Sequence, residues 1–194
     1  MQFPYFIALF FSLCVSVAID EDAPVPGYGV VELQWNLTAP DGSPVTVTGT
    51  VEDVDRQISE RNLTFPVGDS VSVNPLTTPV PLSVEDDIES FFCFGRWPGA
   101  NIKRIRQGVN YLRGLRGTRP TNAPGPGFCG RVSCSWNSAI WWCNDNRRRK
   151  TLGSWQDVAD GAEYIVNRCQ QGPDTAGQIF YKPKWNVVVQ RGKC

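Results

Sequence analysis

The sequence contains no histidine among its 194 residues. Histidine is the side chain that most often takes up and returns a proton near neutral pH. Its absence excludes Ser-His-Asp and Cys-His catalytic arrangements and histidine-dependent ribonuclease chemistry. The sequence also lacks a CxxC pair, the usual thiolate spacing of a zinc site. We therefore expect neither a metal site nor a cofactor.

Long apolar runs are scarce as well. The one such run, residues 6–18, is too short to span a bilayer, which needs roughly 20 apolar residues. It carries no charge and ends in the small-x-small triplet Ser16-Val17-Ala18, a pattern typical of a signal peptide. The alternative is a buried amino-terminal strand or helix. We predict a signal peptide over residues 1–18, cleaved after Ala18, and hence a secreted, extracellular protein.

Cysteine is almost absent from the first 92 residues, where only Cys14 occurs, inside the predicted signal peptide. The other six are Cys93, Cys129, Cys134, Cys143, Cys169 and Cys194. An even number in an exported chain predicts three disulfides, and six cysteines allow 15 connectivities that the sequence alone does not distinguish. Asn36-Leu-Thr38 and Asn62-Leu-Thr64 are N-glycosylation sequons, so Asn36 and Asn62 are predicted acceptors.

The net charge of zero hides a strong asymmetry. Residues 19–92 contain fourteen acidic side chains against two arginines, whereas residues 93–194 contain five acidic side chains against seventeen lysines and arginines. Just before this change, residues 66–92 are rich in Pro, Ser and Thr, which indicates an extended linker. We therefore predict an acidic unit over residues 19–65, a linker over residues 66–92 and a basic, cysteine-rich domain over residues 93–194. Opposite net charges should draw the two parts together.

The acidic unit has the pattern of a β-β-α motif. Alternating apolar residues on either side of Pro40-Asp41-Gly42 predict a hairpin, and Thr50-Val-Glu-Asp53 predicts a capping box that begins a helix. A unit of this size without disulfides is marginal alone. It either packs on the basic part or is a detachable pro-segment.

The basic part predicts the order α-β-α-β-β. The first helix begins after Asn101 and ends at Gly117, and the second begins at a capping box, Ser154-Trp-Gln-Asp157. Residues 128–143 favour one strand or two, and residues 178–181 and 185–189 favour two more. The expected fold class is α+β: two helices packed on one face of an antiparallel sheet and stapled by disulfides, preceded by the small β-β-α unit.

Several phrases of the basic part resemble fungal small secreted cysteine-rich proteins, in particular killer toxins of the killer-protein-four type and effector-like relatives. The phrases are GFCGRVSCSWNSAIWWCND (127–145), DVADGAEYIVNRC (157–169), GQIFY (177–181) and WNVVVQRGKC (185–194). The resemblance covers roughly residues 93–194. It implies a non-enzymatic protein whose relatives are proposed to act on ion channels of competitors, and it transfers a basic surface rather than individual functional residues.

Three groups of residues are candidates for chemistry. The carboxylates of Asp157, Asp160 and Glu163 lie close together on one predicted helix and would suit glycoside hydrolysis, although acids near a helix start also serve its cap and dipole. Trp136, Trp141 and Trp142 form either a stacking platform for sugars or partners, or part of a core that includes Trp97, Trp155 and Trp185. Since Trp141 and Trp142 are consecutive on a strand, they should face opposite sides.

The third group is Arg147, Arg148, Arg149 and Lys150, which lie in a predicted loop. The loop either binds an anionic glycan or lipid head group, is cut as a dibasic processing site, or is merely solvated. The leading hypothesis is a secreted, non-enzymatic effector or toxin-like protein. A cell-wall carbohydrate-binding protein and a histidine-free hydrolase are the alternatives. We expect a monomer whose partner is a host or competitor surface protein, an anionic membrane or a cell-wall glycan, and not a nucleic acid.

Overall fold

The computed structural model describes residues 23–65, 87–115 and 118–194. The predicted signal peptide and its cleavage site, linker residues 66–86, and Gly117 lie outside the described residues. Among the described residues, no helix has the length and apolar character needed to cross a membrane.

A six-stranded sheet forms the centre of the molecule. Its strands, in spatial order, are β1 (Gly29–Val31), β7 (Phe128–Ser135), β8 (Ser138–Asn144), β13 (Trp185–Arg191), β12 (Gly177–Tyr181) and β4 (Ile88–Cys93). The sheet is mixed, because β1 runs parallel to β7 while the other neighbours are antiparallel. Smaller strands lie outside it: β2 (Gln34–Thr38), β3 (Pro44–Thr48), β5 (Ala100–Asn101), β6 (Thr121–Asn122), β9 (Lys150–Thr151), β10 (Gln170–Gln171) and β11 (Asp174–Thr175).

Within the described ranges, three helices accompany the sheet: α1 (Val51–Arg61), α2 (Ile102–Gly114) and α3 (Trp155–Arg168). Each begins where the sequence predicts. The Thr50 and Ser154 side chains close capping boxes at α1 and α3, and the Asn101 side chain accepts a hydrogen bond from the Arg104 amide at α2. These caps satisfy amides that have no partner inside the helix.

The predicted fold class is wrong. The described residues form three helices and a large mixed sheet rather than two helices on an antiparallel sheet. The difference arises because the acidic unit contributes to the common architecture: its β1 joins the sheet beside β7, and its α1 packs on the same layer as α2 and α3. In addition, Ile88–Cys93, most of which was assigned to the linker, forms the edge strand β4.

The acidic unit packs directly against the basic part. The Trp35 ring stacks on Trp155 with 4.3 Å between centroids, and both side chains are 2% exposed. The Glu52 carboxylate accepts hydrogen bonds from the Ser133 hydroxyl (2.6 Å) and the Cys134 amide (3.0 Å). The Tyr111 hydroxyl of α2 donates to Asp55 of α1. The predicted hairpin is confirmed as β2–β3.

The two faces of the sheet are covered differently. One face, here called the helix face, is buried under α1, α2 and α3 in a core that includes Ile140, Trp142 and Val187. The other, here called the open face, carries a smaller cluster that includes Trp141 and Val188, covered by Val25 and Trp97. The prediction that Trp141 and Trp142 face opposite sides is confirmed.

The prediction of three disulfides is confirmed. Cys93–Cys169 joins the edge strand β4 to the end of α3. Cys129–Cys143 links directly opposite residues of β7 and β8, and Cys134–Cys194 ties the region after β13 to β7. Cys129, Cys134 and Cys143 of these last two bonds belong to the open-face cluster, which no helix of the described residues covers.

Candidate ligand groove

A groove lies on the open face, over strands β4 and β12. Its first hollow has a volume of about 470 Å³ and is lined mainly by rings. The ring-bearing residues are Tyr28, Phe92, Phe94, Trp97 and Phe180, and the remainder of the lining includes Val25, Arg96 and Gln178. We call this set of side chains, together with the second hollow described below, the aromatic groove.

Strand alternation determines which side chains reach the groove. Phe92 pairs with Gln178 across β4 and β12, and Phe180 lies two residues further along β12, so all three point to the open face. Phe92 and Phe180 meet edge to face with 6.2 Å between ring centroids. Phe92 is 56% exposed, which is unusual for a large apolar side chain in a sheet.

Residues 23–28, here called the strap, form the opposite wall. The Trp97 indole donates a hydrogen bond to the Pro24 carbonyl (3.0 Å), and Val25 packs into the open-face cluster beside it. The Tyr28 amide donates back to the Val25 carbonyl and closes a turn. The strap therefore holds Tyr28 and Trp97 opposite Phe92 and Phe180.

A second hollow of about 310 Å³ adjoins the first and shares Phe92 and Phe180 with it. Its further lining includes Glu89, Ser90, Asp145 and Lys184. The Lys184 ammonium pairs with the Glu89 carboxylate at 3.2 Å. The two charges therefore compensate one another at the rim, while the Asp145 carboxylate remains as the acid of this hollow.

The floor of the groove is a chain of polar side chains. The Gln178 amide donates to Asn186 (2.9 Å), which donates to Asp145 Oδ2 (2.7 Å); Gln178 and Asn186 are both buried. The other carboxylate oxygen, Asp145 Oδ1, is buried as well. Burial raises the pKa of Tyr28 to about 12, and the Asp145 charge and a hydrogen bond to the Asp145 carboxylate act in the same direction, so the Tyr28 hydroxyl stays protonated.

This arrangement suits binding better than bond breaking. Aromatic faces pack against apolar ligand surfaces, and the amide, hydroxyl and carboxylate groups provide donors and acceptors that fix orientation. Asp145 lines the second hollow, so its carboxylate places an acceptor beside the rings. Sugars present both features, since their rings have apolar C–H faces and hydroxyl edges.

The three tryptophans that were predicted to form either a platform or part of the core lie in different environments. Trp141 and Trp142 are buried at 2% and 0% exposure, so they belong to the core. Trp136 is 74% exposed in the turn between β7 and β8, with the Arg104 guanidinium 4.7 Å from its ring centroid. The three therefore form no common surface.

The basic loop is exposed but held in shape. Arg147, Arg148 and Arg149 are exposed, whereas Lys150 is partly buried. The Lys150 ammonium donates to the Pro183 carbonyl (3.0 Å), and burial lowers the pKa of Lys150. The buried Asn144 side chain donates to the Arg148 carbonyl (2.8 Å). Anion binding and proteolytic processing at this loop both stay predictions.

A larger cleft, of about 570 Å³, lies between β2 and residues 118–123, with Arg119 and Arg149 in its wall. Asn36, the first predicted glycosylation acceptor, lines it too, so a glycan attached there would occupy its mouth. Asn62 is exposed at the end of α1. We therefore consider the aromatic groove, which contains neither sequon, the better ligand site.

The carboxylates that were candidates for hydrolysis have structural partners. Asp157 accepts a hydrogen bond from the Ser154 amide in the α3 capping box (3.0 Å). Asp160 pairs with Arg113 (2.9 Å) and Glu163 pairs with Arg106 (3.3 Å), which joins α3 to α2. None of the three lines the groove. In the described part of the chain, no cluster of three or more acidic or cysteine side chains is arranged to hold a metal ion.

The sequence reading missed the groove. Phe92 was assigned to the linker, and Tyr28, Phe180 and Asp145 were not singled out. The one available signal was the pair Phe91-Phe92 directly before a cysteine, which is typical of a strand. Comparison with family models, curated proteins and solved structures finds no match for this chain. The resemblance to killer-protein-four-type toxins therefore stays a prediction.

Proposed function

We propose that the protein is an exported, non-catalytic factor that acts on a host or competitor by binding a neutral glycan of its surface. The observation that carries this proposal is the aromatic groove, with rings on its walls and the Asp145 carboxylate in its second hollow. A neutral ligand is favoured because Asp145 would repel an anion and Arg96, in the first hollow, would repel a cation, whereas both side chains can form hydrogen bonds with hydroxyl groups.

Retention on insoluble polysaccharides tests the binding. Purified protein is incubated with chitin, β-glucan and cellulose, and we expect at least one of them to retain it. Asp145→Asn removes the negative charge and replaces one acceptor oxygen by an amide donor, so it should weaken retention by roughly tenfold. Asp41→Asn changes an acid in the exposed β2–β3 turn, outside the groove, and should have no effect. Failure of every glycan to retain the wild type would refute the proposal.

Export is supported by the three disulfides, which persist in oxidising compartments. Intact-mass measurement of protein from the culture medium should give a chain that begins at Ile19. It should also show six oxidised cysteines and added hexose mass if Asn36 or Asn62 is glycosylated. A chain that retains residues 1–18, or one with free thiols, would contradict export by the predicted route.

The proposal also predicts an effect on other cells. Purified protein should alter the growth or viability of cells whose surface carries the retained glycan. Phe92→Ala, which removes a groove wall, should abolish this effect, whereas Phe91→Ala on the other face should not. If the cells responded equally to both variants, the cellular effect would not depend on the groove.

A further inference from the structure

The turn between β7 and β8 carries an exposed indole. All seven tryptophans of the sequence lie within the described residues, and Trp136 is 74% exposed while the other six are at most 7% exposed. Ser135 pairs with Ser138, so Trp136 and Asn137 alone form the turn. The indole therefore projects from a convex tip rather than lining a cavity.

The backbone at this tip is unfavourable for a bulky residue. Trp136 and Asn137 both have positive φ, at 51° and 58°, as a two-residue turn between twisted strands requires. Asparagine and glycine accept this conformation readily, whereas a bulky side chain there is an outlier. Since the exposed ring adds little to the core, the fold does not explain why tryptophan occupies this position.

The positive charges beside the tip are also unfavourable for the helix that carries them. The first turn of α2 contains Lys103 and Arg104 and no acidic residue, although the positive end of the helix dipole lies there. The backbone amide of Asn101, the residue that caps this helix, donates a hydrogen bond to the Ser138 hydroxyl next to the turn. The Arg104 guanidinium lies 4.7 Å from the centroid of the Trp136 ring.

Further cations lie on the other side of the turn. The Gly192 amide donates to the Asn137 carbonyl (3.2 Å), which brings Lys193 beside the tip, and Arg131 donates to the Lys193 carbonyl (2.7 Å). The nearby acid Glu52 is engaged by Ser133 and Cys134. We define the tip patch as Trp136 with Lys103, Arg104, Arg131 and Lys193.

We propose that the tip patch docks the protein on an anionic lipid bilayer, with the Trp136 indole among the head groups and the four cations on the lipid phosphates and carboxylates. Tryptophan prefers the boundary between membrane and water, and each cation near an anionic surface adds to the attraction. A convex tip with one ring and surrounding cations fits a deformable surface. Contact of this kind is peripheral and requires no spanning segment.

Co-sedimentation with vesicles tests the docking. Wild-type protein should bind vesicles that contain phosphatidylserine and phosphatidylcholine, and it should bind phosphatidylcholine alone at least roughly tenfold more weakly. Trp136→Asn should lower the partition coefficient roughly tenfold or more. Lys103→Gln and Arg104→Gln should each lower it about fivefold. Binding should weaken as salt rises, because surface charges are screened over about 10 Å at 0.1 M.

Two controls separate docking from structure and from glycan binding. Arg61→Gln removes an exposed cation from the last turn of α1, outside the tip patch, and should leave vesicle binding unchanged, as should Phe92→Ala in the groove. Trp136→Asn should retain or raise the thermal midpoint, because asparagine suits the turn. A purely structural tryptophan would instead lower it.

Fluorescence gives a second readout. Because Trp136 is the exposed indole, iodide in the buffer should quench mainly this residue, and anionic vesicles should protect it. Absence of binding to anionic vesicles at low salt would overturn the proposal, and so would equal binding to neutral vesicles. Unchanged binding by Trp136→Asn would overturn it too. If the tip binds a protein partner instead of a membrane, the protein should not bind anionic vesicles at low salt.

Discussion

The two faces of the central sheet are shielded from solvent by different parts of the chain. The helix face is covered by three helices whose apolar sides form one continuous core with Trp142, Ile140 and Val187. The open face has no helix over it among the described residues and is covered by the strap, by Trp97 and by two disulfides. Covalent bonds there replace part of the stabilisation that helix packing supplies on the other side.

This difference explains where a binding site fits. A helix covers its side of a sheet continuously. If a helix covered the open face, it would shield polar side chains such as Gln178 and Asn186 from any ligand. The thin cover of the open face leaves the aromatic groove beside these residues. One face therefore mainly stabilises the protein, and the other is available for recognition.

The largest expected effect comes from the disulfides. Replacing Cys93 and Cys169 with serine opens a loop with a sequence separation of 76 and should cost roughly 4.5 kcal/mol of unfolding free energy in the loop-closure account. The Cys129–Cys143 pair has a separation of only 14 and should cost roughly 3 kcal/mol. Denaturant unfolding of the two double variants measures the difference. A larger loss for the short loop would show that the open face depends on its disulfide more than chain entropy requires.

A core substitution on the helix face should be nearly as costly. Trp142 is 0% exposed, so Trp142→Ala leaves a large cavity and should destabilise the protein by roughly 4 kcal/mol. Thermal and denaturant unfolding measure this loss. Trp136→Asn provides the control, since the same residue type is exposed there and its removal should not destabilise. Similar losses at both positions would contradict the assigned burial.

The contact between the acidic unit and the sheet should have a smaller effect. Glu52→Gln weakens the charge-assisted bonds to Ser133 and Cys134 and should cost about 2 kcal/mol. Glu60→Gln on the exposed side of the same helix should change stability by less than about 0.5 kcal/mol. Equal effects of the two substitutions would indicate that α1 is not docked as described.

The smallest effect on stability should come from the groove itself. Phe92 is 56% exposed, so Phe92→Ala should change the unfolding free energy by less than about 1 kcal/mol. The variant should nevertheless lose glycan binding, which separates recognition from folding. Differential scanning calorimetry beside a binding assay checks both quantities. A strongly destabilised Phe92→Ala would place this side chain with the core instead.

Local signals in the sequence predicted the local structure well. Thr50, Asn101 and Ser154 each cap the helix that the pattern indicated, because a cap depends on residues within one turn. The hairpin β2–β3 and the opposite orientation of Trp141 and Trp142 followed from alternation alone. The export context predicted that all six cysteines would pair, although it gave no connectivity.

Long-range pairing was beyond the same reasoning. The parallel contact between β1 and β7 joins Gly29 to Phe128, and no nearby residue indicates it. The abrupt change in charge near residue 92 instead favoured two separate parts. Among the described residues, one ion pair, Lys184 with Glu89, crosses between those parts. The other contacts are packing and hydrogen bonds such as Tyr111 to Asp55, to which net charge gives no guide. The groove depends on the register of β4 and β12, so it could not be found before the strands were placed.

The most direct test of the two-face account uses two neighbouring residues of one strand. Phe91 and Phe92 are both exposed on β4, but Phe91 packs against Tyr164 on the helix face and Phe92 lines the groove. Calorimetric titration of Phe91→Ala and Phe92→Ala with a soluble oligosaccharide of the retained glycan measures what each ring contributes. We expect Phe92→Ala to bind at least roughly tenfold more weakly and Phe91→Ala to bind as the wild type does. Equal affinities for the two variants would contradict the assignment of recognition to the open face.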